Sequence, residues 1–296
     1  MCGRTACTLN QHGIQRATCQ YSKSKENLPW IQKFGWQTYE PNYNLSPTQN
    51  SPVIVNGTVF DPKDECDNHV LTLMRWGFIP SWYKGDIQEC SLKANNCRIE
   101  GLLEKPTFRG AASGGRRCVV LADGFYEWKK VSDKKKQPYF IYFPQDEDVF
   151  SKSGDSFLDD DEWKGPKLLT MAGIFDAWKS PEKETYYTYS VITMESSNSM
   201  SVVHSRMPAI LNGEEEVSMW LDTDKVPTKE ALSMLKPLED IQMHPVSTIV
   251  GNSRNNSNEC VKPFKEAEKK IKKNALTDWL IKSPAGPPAK RFRPDS

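Results

Sequence analysis

The sequence predicts an α+β fold: a strongly bent, mainly antiparallel β-sheet with peripheral helices. Three observations carry that prediction. Short runs rich in β-branched and aromatic residues, separated by Gly, Pro, Asn and Asp, fill the first 262 or so residues. Strands dominate and their connections are mixed, unlike a doubly wound sheet. No internal repeat and no Gly-rich phosphate loop is present.

The expected strands cover residues 53–55, 70–74, 118–122, 125–128, 139–142, 168–175, 188–193 and 248–250. Helices are expected at 91–104, at 213–220 just before Leu221, and at 228–235, where Thr228 and Glu230 open a periodic stretch. Residues 132–136 (Ser-Asp-Lys-Lys-Lys) read as a charged hairpin tip. Residues 146–162 hold eight acidic residues and one lysine, with Gly and Ser among them, which reads as a solvated insertion between strands. After Pro263 the character changes. Residues 265–280 suit a basic amphipathic helix, and 284–294 is a Pro-rich disordered tail carrying Lys290, Arg291 and Arg293, a basic cluster that suits nuclear import, a nucleic-acid contact or simple solubility.

Composition narrows the function classes. The chain has 296 residues, 38% hydrophobic and 10% aromatic, enough to bury a substantial core. Formal net charge is +1, but residues 265–296 carry nine Lys/Arg against four acidic residues. No apolar run approaches a membrane span and the start lacks the plan of a secretory signal, so a cytosolic or nuclear protein is expected. The eight cysteines contain no C-x-x-C pair and the four histidines are scattered, so free thiols and no metal are expected.

The second residue carries distinctive chemistry. Removal of Met1 exposes Cys2 with a thiol and an α-amine on adjacent carbons, a 1,2-aminothiol that condenses with an aldehyde to a thiazolidine. An α-amine has a pKa of about 7.7–8.0 against about 10.4 for lysine, so near neutrality it is by far the better amine nucleophile. The thiol, near 8.5, then attacks the imine from the same residue with the advantage of proximity.

Three couples share one spacing: Cys2 and Arg4, Asn96 and Arg98, His204 and Arg206. On an extended backbone residues two apart share a face, so each couple sets a short polar or reactive group beside a guanidinium suited to phosphate. Within the expected helix 91–104 the Asn96 couple would instead diverge. Period-two alternation places Glu127 with Phe125 and Lys129, and a carboxylate among large aromatics is a candidate proton-transfer group; the plain alternative is a surface glutamate. His204 follows Val202 and Val203 and reads equally as a hydrogen-bonded, partly buried imidazole. Trp76 and Phe78 read as core, whereas Trp82, beyond Pro80, is the candidate for stacking on an unpaired base.

Together these segments resemble the SRAP (SOS-response-associated peptidase) family. The resemblance rests on Met1-Cys2-Gly3-Arg4, Tyr43-Asn44-Leu45-Ser46-Pro47, the run from Arg75 to Trp82, Asn95-Asn96-Cys97-Arg98-Ile99-Glu100, Arg117-Cys118, Gly124-Phe125-Tyr126-Glu127-Trp128, Ala172-Gly173-Ile174-Phe175 and His204-Ser205-Arg206-Met207-Pro208, in that order. Length, acidic insertion and basic tail look most like a vertebrate member. The resemblance implies one SRAP-like catalytic and DNA-binding domain over 2–272, with the acidic insertion at about 146–166 and a tail at 273–296. It implies a covalent reaction with abasic sites in single-stranded DNA, near single/double-strand junctions at replication forks in the nucleus. Cys2 would form the thiazolidine, Asn96 would position the terminal amine or thiol, Glu127 and His204 would move protons, and Arg4, Arg98 and Arg206 would hold phosphates. No cofactor, no metal and no membrane are implied, and a monomer is expected. A sliding-clamp contact would use residues 273–280, which have the apolar and aromatic spacing but lack the leading glutamine; a helix closing the domain is the alternative. Lyase-like chemistry and a cysteine (auto)peptidase built on Cys2, Glu127 and His204 are further readings, as is a non-covalent reader of modified cytosine or DNA junctions.

Overall fold

The computed structural model describes residues 3–31, 39–61, 63, 68–87, 90, 94–146, 149–150 and 163–264. The chain divides into two compact units, Met1–Phe264 and Lys265–Ser296. The second unit, with the expected amphipathic helix, clamp segment and basic tail, lies outside the described residues, as do Met1, Cys2 and most of the acidic insertion.

In chain order the first half contains β1 (Thr5–Cys7), α1 (Gln11–Ala17), β2 (Asn42–Leu45), β3 (Asn50–Asn56), β4 (His69–Trp76), β5 (Asn96–Arg98), α2 (Pro106–Ser113), β6 (Arg117–Ala122), β7 (Gly124–Lys130) and β8 (Lys136–Tyr142). The second half contains β9 (Leu169–Lys179), β10 (Thr185–Glu195), α3 (Asn198–Ser201), β11 (Arg206–Pro208), α4 (Glu214–Leu221), α5 (Thr228–Met234) and β12 (Gln242–Pro245).

Two sheets form from these strands. One runs β12-β8-β7-β1-β2 and the other β11-β10-β4-β3-β6-β9. Because β9 also pairs with β10, the strands β4, β3, β6, β9 and β10 close into a ring. Among the described pairings of named strands only β10–β4 and β10–β5 are parallel; the others are antiparallel. The expected bent, mainly antiparallel sheet with peripheral helices is therefore what the chain builds. Closure is tight where β6 meets β9: a Cβ added to Gly173 would lie 2.9 Å from Cys118 Sγ.

The five-stranded sheet separates two cores, and strand alternation sorts its side chains between them. Phe125, Ile141 and Cys7 enter the main core, which fills the space between the sheets. Ala6, Tyr126, Phe140 and Tyr142 enter a second core with Val246, Val250 and Cys260. The shortest link between the sheets is a single residue, Asp123, between β6 and β7. Its N–H donates to Ala6 O at 2.7 Å, and its carboxylate accepts the Thr8 N–H at 2.8 Å.

Two expectations are corrected. Residues 91–104 are not one helix: over the described part, β5 forms at Asn96–Arg98 because it adds to β10, and a short 3-10 turn follows at Ile99–Gly101. Residues 248–250 are not a strand either. They form a 3-10 turn, Thr248–Gly251, capped by Ser247, whose Oγ accepts the Ile249 N–H. The hairpin tip at 132–136 and the core placement of Trp76 and Phe78 hold.

Candidate functional site

Strand β10 organises the polar residues singled out in the sequence. One of its edges carries β4 and then β5; the other carries β9 and then β11. Thus Thr193 lies between Arg98 of β5 and Pro208 of β11, and Glu195 pairs with Arg206. The two Xaa-x-Arg couples, a hundred residues apart in sequence, flank the same end of one strand. Asn96 and Arg98 share a face of β5, with the fully buried Cys97 turned the other way between them.

Arg206 is held by three acceptors. It forks onto Glu100, with Nη1 2.8 Å from Oε1 and Nη2 3.0 Å from Oε2, and Nη2 also donates to Thr193 O at 2.7 Å. This bidentate pair, with Arg98 adding attraction, holds the Glu100 carboxyl below its usual range. Arg98 itself is exposed. Glu100 was not singled out from sequence; its signal was its position two residues after an arginine in a segment that leaves a strand.

His204 is fixed by its own backbone neighbourhood. Its N–H donates to Met200 O at 3.2 Å, and the short helix α3 before it is capped by Ser197 Oγ and by Glu239, which accepts the N–H groups of Asn198 and Ser199. The Arg206 N–H donates to Nδ1 at 3.0 Å, and Arg206 O lies 3.2 Å from the same nitrogen, so the ring is held against the Arg206 backbone. Glu239 is a second residue that sequence reading missed. Its carboxyl is held below its ordinary range by the Asn198 and Ser199 N–H groups.

Glu127 stands on β7, 4% exposed, opposite Tyr139 of β8. It alternates with Tyr126 and so shares the Phe125 face, turned toward the main core between the sheets. The segment entering β1 runs alongside, because Tyr126 N–H donates to Arg4 O at 2.9 Å. Arg4 points its side chain to the other face: Nη1 donates to Asn44 Oδ1 at 2.6 Å and to Val250 O at 2.8 Å. Burial lowers its pKa from the usual guanidinium value. Asn44 also reaches Asn252 O and Asn255 O through Nδ2, tying the 250–255 loop to β2.

Trp82 is 55% exposed, in a turn beyond Pro80. Among the described residues no group of three or more His, Cys, Asp or Glu is placed to hold a metal ion. No helix among them is long and apolar enough to cross a membrane. The six described cysteines are free.

A family model described as "SOS response associated peptidase (SRAP)" matches residues 1–253. The Xenopus tropicalis "Abasic site processing protein HMCES" is 44% identical over 292 residues, covering 95% of this chain and 85% of that protein. The Bacillus subtilis "Abasic site processing protein YoqW" is 33% identical over 225 residues, covering 75% and 86%. A crystal structure of a Bacteroides thetaiotaomicron protein superposes with a TM-score of 0.66 at 22% identity, covering 89% of this chain and all of that one.

Proposed function

The chain belongs to the SOS response associated peptidase (SRAP) family, and from that membership we propose that it processes abasic sites in DNA, capturing them covalently through Cys2 on single-stranded DNA. The observation that carries this reading is the convergence on β10. Asn96, Arg98, His204 and Arg206 flank one strand end, which supports a site for a DNA backbone bearing a reactive carbonyl.

The chemistry balances without oxidant or cofactor. The ring-opened abasic sugar is an aldehyde at C1′. The α-amine of Cys2 adds to it, the carbinolamine loses its oxygen as water, and the resulting imine accepts the Cys2 thiolate to close the thiazolidine. One water leaves and no electrons are transferred. Loss of water needs a proton donor at oxygen, and amine addition needs an acceptor. Glu127, buried beside the segment that leads into β1, and His204, its ring held through Nδ1 against the Arg206 backbone, are the groups of this chain suited to those transfers. Arg98 meets the phosphates directly and Arg206, braced by Glu100, shapes the wall beside it, whereas the Arg4 side chain turns to the opposite face, toward Asn44 and Val250, and does not hold the phosphate the resemblance implied for it. The cross-link would shield the strand from β-elimination, a role that fits a nuclear protein at replication forks.

The test uses a single-stranded oligonucleotide whose uracil has been excised. Protein with Met1 removed is expected to give a heat- and SDS-stable adduct, one water lighter than the sum of the two masses. Cys2→Ala, or a blocked N-terminus, must abolish it. An adduct that survives both changes overturns the chemistry.

A further inference from the structure

Trp82 is mounted in a way its exposure alone does not require. The turn that carries it is gripped at alternate residues, each time by a different side chain of β9 or β10. Ile79 N–H donates to Thr188 Oγ1 at 2.8 Å, Ser81 N–H donates to Asp176 Oδ2 at 2.8 Å, and Trp178 Nε1–H donates to Tyr83 O at 2.9 Å. Tyr83 N–H closes the turn onto Pro80 O at 2.9 Å. The three anchors are neighbours in the sheet, since Thr188 is the cross-strand partner of Asp176, and Trp178 lies two residues further along β9.

The anchors are themselves immobilised. Asp176 is 4% exposed, and its other oxygen lies 3.1 Å from Arg116 Nε, which compensates the buried charge. Trp178 is fully buried, with its ring against Tyr83 and Tyr186 at 6.3 and 5.5 Å between centroids. On this gripped turn Ser81 and Trp82 are exposed, while Pro80 is buried. A large aromatic surface is therefore held in water on a turn with little freedom to fold it away.

We propose that Asp176 and Trp178 are positioning residues that hold Trp82 as a preformed stacking platform for an unpaired nucleobase. This rests on the DNA-binding reading above. A preformed platform meets the base without an ordering cost at the moment of binding, so loosening the mount should weaken binding through Trp82 alone. Stacking releases no counterions, so the salt dependence should stay unchanged.

The experiment is a double-mutant cycle on the full chain, read as affinity for an undamaged thymidine 15-mer by fluorescence anisotropy. Trp82→Ala is expected to weaken binding on the order of tenfold. Trp178→Phe keeps a ring but removes the donor to Tyr83, and is expected to weaken binding about threefold or more with Trp82 in place. In the W82A background it should change affinity by less than about 1.5-fold, because the mount then has nothing to present. Equal effects of W178F in both backgrounds would overturn the positioning role while leaving stacking intact. An unchanged affinity in W82A would overturn the stacking reading itself. Should W178F not yield folded protein, Asp176→Ala, which removes the acceptor of the Ser81 N–H, replaces it in the same cycle with the same criteria.

Discussion

Asp123 should dominate the pH dependence of stability in the neutral range. It is fully buried at the junction of the two sheets, with Oδ2 accepting the Thr8 N–H. Oδ1 has no hydrogen-bond partner among the described residues. Burial raises its pKa from 3.8 to about 7, against the opposing pull of the Thr8 contacts. Between these values the unfolded chain has released the proton and the folded chain retains it. Stability therefore falls as pH rises: the contribution is complete below about pH 4 and gone above about pH 7. The full span is about 4 kcal/mol at 1.36 kcal/mol per unit. From pH 5 to pH 8 the loss works out at about 2.5 kcal/mol. Asp123→Asn cannot ionise and keeps a carbonyl oxygen for Thr8. Urea unfolding of both proteins at half-unit steps from pH 5 to 9, read as the difference between them, cancels every other titration. D123N should gain on the parent by about 2.5 kcal/mol between pH 5 and 8. A difference that stays flat would refute a buried, neutral carboxyl at this junction.

Two further outcomes follow from the same geometry. Arg98 is exposed at the end of β5, so Arg98→Ala should weaken single-stranded DNA binding irrespective of sequence. The slope of log affinity against log salt should become shallower by about 0.7, and an unchanged slope would mean Arg98 meets no phosphate. Gly173→Ala would place a methyl 2.9 Å from Cys118 Sγ and 3.2 Å from Ser190 O inside the closed ring. Overpacking of this kind costs about 1–3 kcal/mol, read as a lower urea midpoint at constant slope.

The strands visible in the sequence are those that bury side chains on their own account. β3, β4, β6, β7, β8, β9 and β10 carry enough β-branched and aromatic residues to announce themselves. β1, β2, β5, β11 and β12 are three or four residues long, too short for a period-two pattern. Four of them exist because a longer strand offers an edge, and β2 adds to β1 once β7 has fixed it. β5 shows the consequence most clearly: a segment with some helical character pairs with β10 instead, because tertiary pairing outweighs local propensity. The 248–250 segment errs in the opposite direction. Its Thr-Ile-Val composition favours a strand, yet no edge is used there, and the Ser247 cap takes the local option.

The candidate site was legible as residue types and much less as directions. Arg4 and Glu127 both drew notice, yet the five-stranded sheet puts them on opposite faces, Arg4 toward Val250 and Glu127 toward the main core. The shared Xaa-x-Arg spacing also has two physical origins. Asn96 and Arg98 share a face because β5 is extended, as the spacing argument supposed. His204 precedes β11 in a turn, and its ring folds back onto the Arg206 backbone, so that couple is joined by a hydrogen bond to the main chain. What makes the two couples one site is neither spacing. Thr193 accepts Arg206 Nη2 through its carbonyl while pairing with Arg98 from the other side, so the strand itself brings the two arginines together. A pattern two residues long cannot encode that convergence. It arises only when an eleven-residue strand is long enough to exchange β4 for β5 along one edge and β9 for β11 along the other.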